Sequence, residues 1–135
     1  MTLVVDCSVA LKWVLVEEGR EAALDLIGQA LIAPDFLTLE CANVLALKAR
    51  GGLISPARAR ASLKEIEALP GLVFRQSSVH VGAAQELSLE LAQTAYDCLY
   101  LALAISEDAT LVTADEKFER AVSANAAYAA LIRRL

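Results

Sequence analysis

The chain has 135 residues, 57% of them apolar and 21% charged, with a formal net charge of −5. About 100 to 200 residues make one domain, so the length predicts a single unit over residues 1–135, and the apolar fraction excludes a disordered chain. The acid excess excludes a passive nucleic-acid coat held by bulk positive charge.

The longest run without charge, Ala121 to Ile132, is too short to cross a bilayer as a helix. Asp6 interrupts the first ten residues and the first base is Lys12, which is not the pattern of a secretory signal, so the expected location is cytoplasmic. Cys7, Cys41 and Cys98 are odd in number and lack C-x-x-C spacing, which indicates reduced thiols, with no disulfide framework or zinc site.

Residues 2–5 (TLVV) are apolar and β-branched without alternation, which predicts a central strand buried on both faces and ended by Asp6. Ser8 to about Ile32 predicts helix, broken near Glu17–Arg20, with a short strand at Leu31–Ala33 before Pro34. Phe36, Leu37, Glu40, Val44, Ala46 and Leu47 keep helical spacing until Gly51 and Gly52. Ser55 followed by Pro56 starts the next helix, which runs to about Leu69 and completes a helical hairpin. Beyond Pro70 and Gly71, Leu72–Phe74 reads as a strand and Val79–Leu91 as a helix. Thr94 is an N-cap for a helix to Ala104 or Ile105, and Thr110–Thr113 is a strand leading to Asp115. The end, SANAAYAALIRRL, reads as helical. Strands alternating with helices predict an α/β fold, a three-layer α/β/α sandwich with a central, mainly parallel sheet, whose ligand sites lie beyond the strands' carboxyl ends. Asp6 and Asp115 stand there.

Charge is unevenly spread. From Cys41 through Lys64 there is no acid, whereas Lys48, Arg50, Arg58, Arg60 and Lys64 all fall in that segment, leaving the rest of the chain with an excess of ten negative charges. Such a segment forms either a basic ridge beside an acidic pocket or a row of solvated helix positions.

Two acids sit in apolar patterns. Glu40 shares a helical face with Phe36, Asn43, Val44 and Leu47, and Asp97 shares one with Tyr100, Leu101, Ala104 and Ile105. Neither has a Lys or Arg three or four residues away, and burying an unpaired carboxylate costs several kcal/mol. Helix capping explains Asp6, Asp97 and Asp115 one by one, but it explains Glu40 poorly. A hard divalent cation, Mg²⁺ or Mn²⁺, resolves the cost for all of them and brings phosphodiester hydrolysis within reach.

The segments VVDCSVALKW, APDFLTLECANVL, TAYDCLYLALA and LVTADEKFERA, in that order and spacing, resemble the PIN-domain ribonucleases, in particular the VapC-type toxins of toxin-antitoxin pairs. The resemblance implies an acidic quartet of Asp6, Glu40, Asp97 and Asp115 holding one or two Mg²⁺ or Mn²⁺ ions, supported by Ser8, Asn43 and Thr113. It implies endonucleolytic hydrolysis of single-stranded or looped RNA to 5′-phosphate and 3′-hydroxyl ends, a homodimer, and a small cognate antitoxin whose tail covers the groove. The basic segment Lys48, Arg50, Arg58, Arg60 and Lys64 then guides the RNA backbone.

Three cysteines directly follow acids of the quartet where the family generally has small apolar residues, and they read as core filler or as thiols beside the site. The helical reading of the chain's end departs from the family's closing strand. Trp13 and Tyr96 are either buried aromatics or platforms for an unpaired base, Tyr100 is expected to pack below Asp97, and His80 lies far from the motifs. Two other functions compete. A receiver-like or haloacid-phosphatase-like domain also places acids at strand ends, but it wants a second acid near the first, where this chain has Ser8. A non-catalytic module would use the same acidic groove to hold RNA or a basic peptide.

Overall fold

The computed structural model describes residues 1–135. Five strands, β1 (Thr2–Val5), β2 (Ala30–Pro34), β3 (Leu72–Arg75), β4 (Thr110–Thr113) and β5 (Ile132–Arg134), form one sheet in the order β3-β2-β1-β4-β5. Every pairing is parallel. The helices are α1 (Cys7–Val14), α2 (Arg20–Leu24), α3 (Phe36–Arg50), α4 (Pro56–Glu67), α5 (Val81–Leu91), α6 (Ala95–Ser106) and α7 (Glu116–Ser123). The expected three-layer α/β/α architecture is what the chain adopts, and none of its helices is long and apolar enough to cross a membrane.

β1 is the hub. Leu3, Val4 and Val5 are at most 1% exposed, as expected for an apolar run covered on both faces. From β1 the chain builds outward through β2 and β3 on one side, then crosses back to lay β4 and β5 on the other. The order therefore reverses between β1 and β4, and the carboxyl ends of these two strands define the crevice where such sheets bind ligands.

The helix starts follow their caps. Asp6 Oδ1 accepts from Val9 N–H (3.2 Å), Ser55 Oγ from Arg58 N–H (3.0 Å), Thr94 Oγ1 from Asp97 N–H (3.1 Å) and Asp115 Oδ1 from Phe118 N–H (3.0 Å). Capping is thus a true role of Asp6 and Asp115, and it leaves their second oxygen without a hydrogen bond. The buried reading of Trp13 holds: it is 6% exposed, and its Nε1–H donates to Ala23 O at 2.8 Å, tying α1 to α2.

Two expectations are corrected. The core stripe of α3 is Leu37, Cys41 and Leu45, while Leu47 is 49% exposed. Glu40 therefore lies at the border of the buried face and is not inside it. The chain's end closes as a strand. Ala-rich sequence favours helix, but Asn125 diverts the backbone after α7: its Oδ1 accepts from Ala127 N–H at 2.9 Å and its carbonyl from Tyr128 N–H at 3.0 Å. After a 3₁₀ turn at Ala129–Leu131, Ile132 is buried beside Leu111 and Leu135 N–H donates to Thr113 O at 2.9 Å. Exposed Arg133 and Arg134 on this edge strand discourage further strand addition.

Candidate functional site

Asp6, Glu40, Asp97 and Asp115 line one cavity of about 230 Å³ together with Cys7, Ser8, Leu11 and Val44. Each acid comes from a different element. Asp6 follows β1, Glu40 lies one turn into α3, Asp97 occupies the first turn of α6, and Asp115 follows β4. No basic side chain lines the cavity.

The floor is a hydroxyl network. Ser8 Oγ–H donates to Asp6 Oδ1 (2.6 Å) while its oxygen accepts from Ala114 N–H (2.9 Å) and lies 3.4 Å from Thr113 Oγ1. Thr113, fully buried, accepts in turn from Asp115 N–H at 3.0 Å. Ser8 and Thr113 thereby lock the end of β1 to the end of β4, fixing the two aspartates on either side of the switch point.

Burial pushes the Asp6 carboxyl up to about 6, against the hydrogen bonds from Ser8 and Val9 and the nearby Thr113 hydroxyl, which lower it, and the charge of Asp97 pushes it further up. Glu40 is raised by burial and by the charges of Asp97 and Asp6, while the hydrogen bond from Tyr100 lowers it. Asp97 is raised by burial and by Asp115, with Thr94 opposing. Burial and mutual repulsion thus act together on these carboxylates, and no cation of the protein compensates.

Oxygen donors without a basic neighbour suit a hard divalent cation. The Cys7 thiol also lines the cavity, but a hydrogen bond with Cys41, 3.4 Å away between sulfurs, and burial raise its pKa, which keeps it a protonated, poor ligand. No three acidic, cysteine or histidine side chains converge closely enough to make a ready ligand set, so a cation would have to draw the carboxylates inward.

The remaining candidates are divided. Asn43 is exposed on α3 and does not line the cavity. Lys48 and Arg58 line an adjoining hollow of about 490 Å³ with Val14, Leu15, Leu53 and Ile54, one helical turn along α1 and α3 from Leu11 and Val44. There the Arg58 guanidinium donates to Val14 O at the end of α1 and pairs with Glu65 at 3.6 Å. Arg50 and Arg60 line a different hollow with Ala46, Ala49, Pro56 and Ala59, and Lys64 is exposed on α4. The structure therefore splits the basic segment between separate surfaces.

All three cysteines are buried free thiols, as core filler should be, with Cys98 pushed up to about 11 by burial. Tyr96 is 65% exposed, its ring stacked on Phe36 with centroids 5.5 Å apart. Tyr100 does more than pack below Asp97: its hydroxyl donates to Glu40 Oε1 at 2.6 Å. Sequence reading missed this pair, although a phenol three residues after Asp97 in a buried helix needs an acceptor for its O–H.

A parallel α/β sheet with an acid-lined crevice at its switch point is one class of ligand-binding protein. Within it, the family model described as PIN domain matches residues 3–123, and the chain belongs to that family, whose members are generally nucleases. Among solved structures, PAE2754 from Pyrobaculum aerophilum is similar at 21% identity, with a TM-score of 0.70 over 90% of this chain and 84% of that one. A chain of VapBC2 from Rickettsia felis, bound to a DNA fragment from their promoter, is similar at 14% identity with a TM-score of 0.66, over 99% of this chain and 98% of that one. No curated protein matches the chain.

Proposed function

We propose that the protein is a metal-dependent endoribonuclease, the toxin of a toxin-antitoxin module, working in the cytoplasm and regulated by a cognate antitoxin. The observation that carries this reading is the cavity itself: four carboxylates from four elements, with raised pKa values on three of them and no basic residue to compensate. Membership of a family whose nucleases typically use divalent metals supports it, as does likeness in fold to a chain of VapBC2.

Asp6, Glu40, Asp97 and Asp115 would hold Mg²⁺ or Mn²⁺, which when bound supplies charge neutralisation for the scissile phosphate and a more acidic water. Ser8 and Thr113 fix the aspartates, and the carboxylates orient the water by accepting its proton's hydrogen bond. Leu11 and Val44 give the cavity an apolar wall. Lys48, one turn along α3 from Val44 in the adjoining hollow, would meet a neighbouring phosphate. Asn43, Arg50, Arg60 and Lys64 lie outside the cavity and would meet RNA only farther along its path, and Arg58 is already engaged with Val14 and Glu65.

The test is cleavage of a structured RNA by the purified protein. Activity should disappear with a chelator, return with Mn²⁺ or Mg²⁺, and be absent from Asp97→Asn under both conditions. Equal cleavage by wild type and variant would mean a contaminating nuclease. For substrate guidance, Lys48→Gln should weaken RNA binding uniformly across sequences and reduce the salt slope of log K by about one contact. An unchanged slope in a titration from low to moderate salt removes Lys48 from the RNA path.

A further inference from the structure

Each acid in the cavity has a polar partner beside it, and for three of them that partner is local. The side chain of Asp6 is held by Ser8 and Val9 and that of Asp115 by the N–H of Phe118, while Asp97 lies beside the Thr94 hydroxyl, which accepts from its backbone N–H and lowers its carboxyl, all within three residues. Glu40 has no local anchor. Its single hydrogen bond comes from Tyr100, sixty residues away, at 2.6 Å. That is the short distance of an O–H donating to a charged oxygen.

The anchor is rigid where the anchored group is not. The Tyr100 side chain is 1% exposed and belongs to a stretch of α6, Cys98–Ala104, in which every residue is buried. Glu40 is half-buried at the border of the core stripe of α3, with a long side chain that would otherwise choose among several rotamers. The bond occupies Oε1 and leaves Oε2 as the oxygen free of any partner in the protein. Asp97 and Tyr100 are three residues apart on α6 and share a face. One rigid helix thus presents one carboxylate of the cavity and steers the carboxylate arriving from α3.

We infer that the Tyr100 hydroxyl orients Glu40 toward the divalent cation, making Tyr100 a positioning residue of the site. This rests on the reading of the cavity as a metal centre. Partners that orient a ligand in this way are worth about 10- to 100-fold in metal affinity when removed. Tyr100→Phe keeps the ring and deletes only the hydroxyl.

The structure supplies an internal control: Tyr128 O–H donates to Glu90 Oε2 at 2.8 Å, the same chemistry on the surface.

Calorimetric titration of the full-length, metal-free protein with Mn²⁺ tests the inference without RNA. Tyr100→Phe should raise the dissociation constant about 10- to 100-fold, Tyr128→Phe should leave it unchanged, and Tyr100→Phe/Glu40→Gln should bind no more weakly than Glu40→Gln alone. Wild-type affinity in Tyr100→Phe alongside weakened Glu40→Gln, or additive losses in the double variant, overturns the role of Tyr100 while the metal centre stands. Absence of Mn²⁺ binding by the wild type overturns both. Should Tyr100→Phe fail to fold, wild type labelled with ¹³C at the tyrosine ζ carbon gives three signals, and that of Tyr100 should move as Mg²⁺ is added. A Tyr100 signal that stays fixed through saturation overturns the inference equally.

Discussion

Asp6→Asn is expected to abolish RNA cleavage and, at pH 7 without metal, to stabilise the fold by about 1 to 3 kcal/mol. The two effects have one cause. The Asp6 side chain is 8% exposed in its residue and sits among other acids, so its ionised form is disfavoured and its carboxyl rises from 3.8 to about 6. At pH 7 the folded chain nonetheless carries the charge, at a cost of about 3 kcal/mol at most. Asparagine removes that cost while keeping the structural role. Both hydrogen bonds of the side chain fall on Oδ1, from Ser8 Oγ at 2.6 Å and Val9 N at 3.2 Å, and an amide oxygen accepts them equally. Asn caps helices as well as Asp does, so α1 loses nothing. What disappears is a negative oxygen for a divalent cation, and cleavage should fall at least about a thousandfold, or about 4 kcal/mol in the barrier. Urea unfolding in chelator, beside a cleavage assay, checks both halves. A variant that is less stable than wild type, or one that still cuts, would show that the cavity carries neither the strain nor the chemistry assigned to it. Stability held below its optimum by a functional group is a common trade in active sites.

The sheet was legible because its strands are short, apolar and bounded by distinct stop signals. TLVV before Asp6 and TLVT before Asp115 mark the two strands that flank the switch point, and the helix starts at Ser55–Pro56 and Thr94 carry caps that act locally. The convergence of the four acids on one cavity was legible because each follows such a signal or interrupts an apolar pattern. Two kinds of feature were hidden. The strand at Ile132–Arg134 depends on pairing with Leu111–Thr113, and helix propensity in an Ala-rich tail says nothing about a partner twenty residues earlier. The Tyr100–Glu40 bond and the core stripe of α3 depend on how α3 is rotated against α6, which periodicity leaves open by about one residue when apolar positions occur all round a helix. The basic segment illustrates the same limit. Its five cations are consecutive in charge pattern, but the turn between α3 and α4 sends Lys48 and Arg58 to one surface and Arg50 and Arg60 to another.

The metal-free protein should lose thermal stability as pH rises from about 4 to 7.5, and divalent cation should restore it. In the folded chain Asp6 holds its proton up to about pH 6, whereas an unfolded aspartate releases it near 3.8. Between those values the folded state binds more protons, so stability declines with increasing pH until the folded carboxyl has ionised. Glu40 and Asp97, also raised by burial, act in the same direction. Asp35, lowered by Ser77, and Glu107, lowered by Arg75, act oppositely, giving stability that is lost as pH falls; both are exposed enough that water screens most of it. The Asp6 contribution of about 3 kcal/mol corresponds to a fall in Tm on the order of 10 °C for a chain of this size. A cation present at about one hundred times its Kd returns about 2.7 kcal/mol, nearly the same amount. Melting curves across this pH range, in chelator and in Mn²⁺, should therefore diverge as pH rises and lie closest at acid pH, where protonated carboxyls neither repel one another nor bind metal. A Tm in chelator that climbs toward neutrality, or one indifferent to Mn²⁺ at pH 7.5, would mean that the carboxylates are neither strained by their burial nor relieved by a cation.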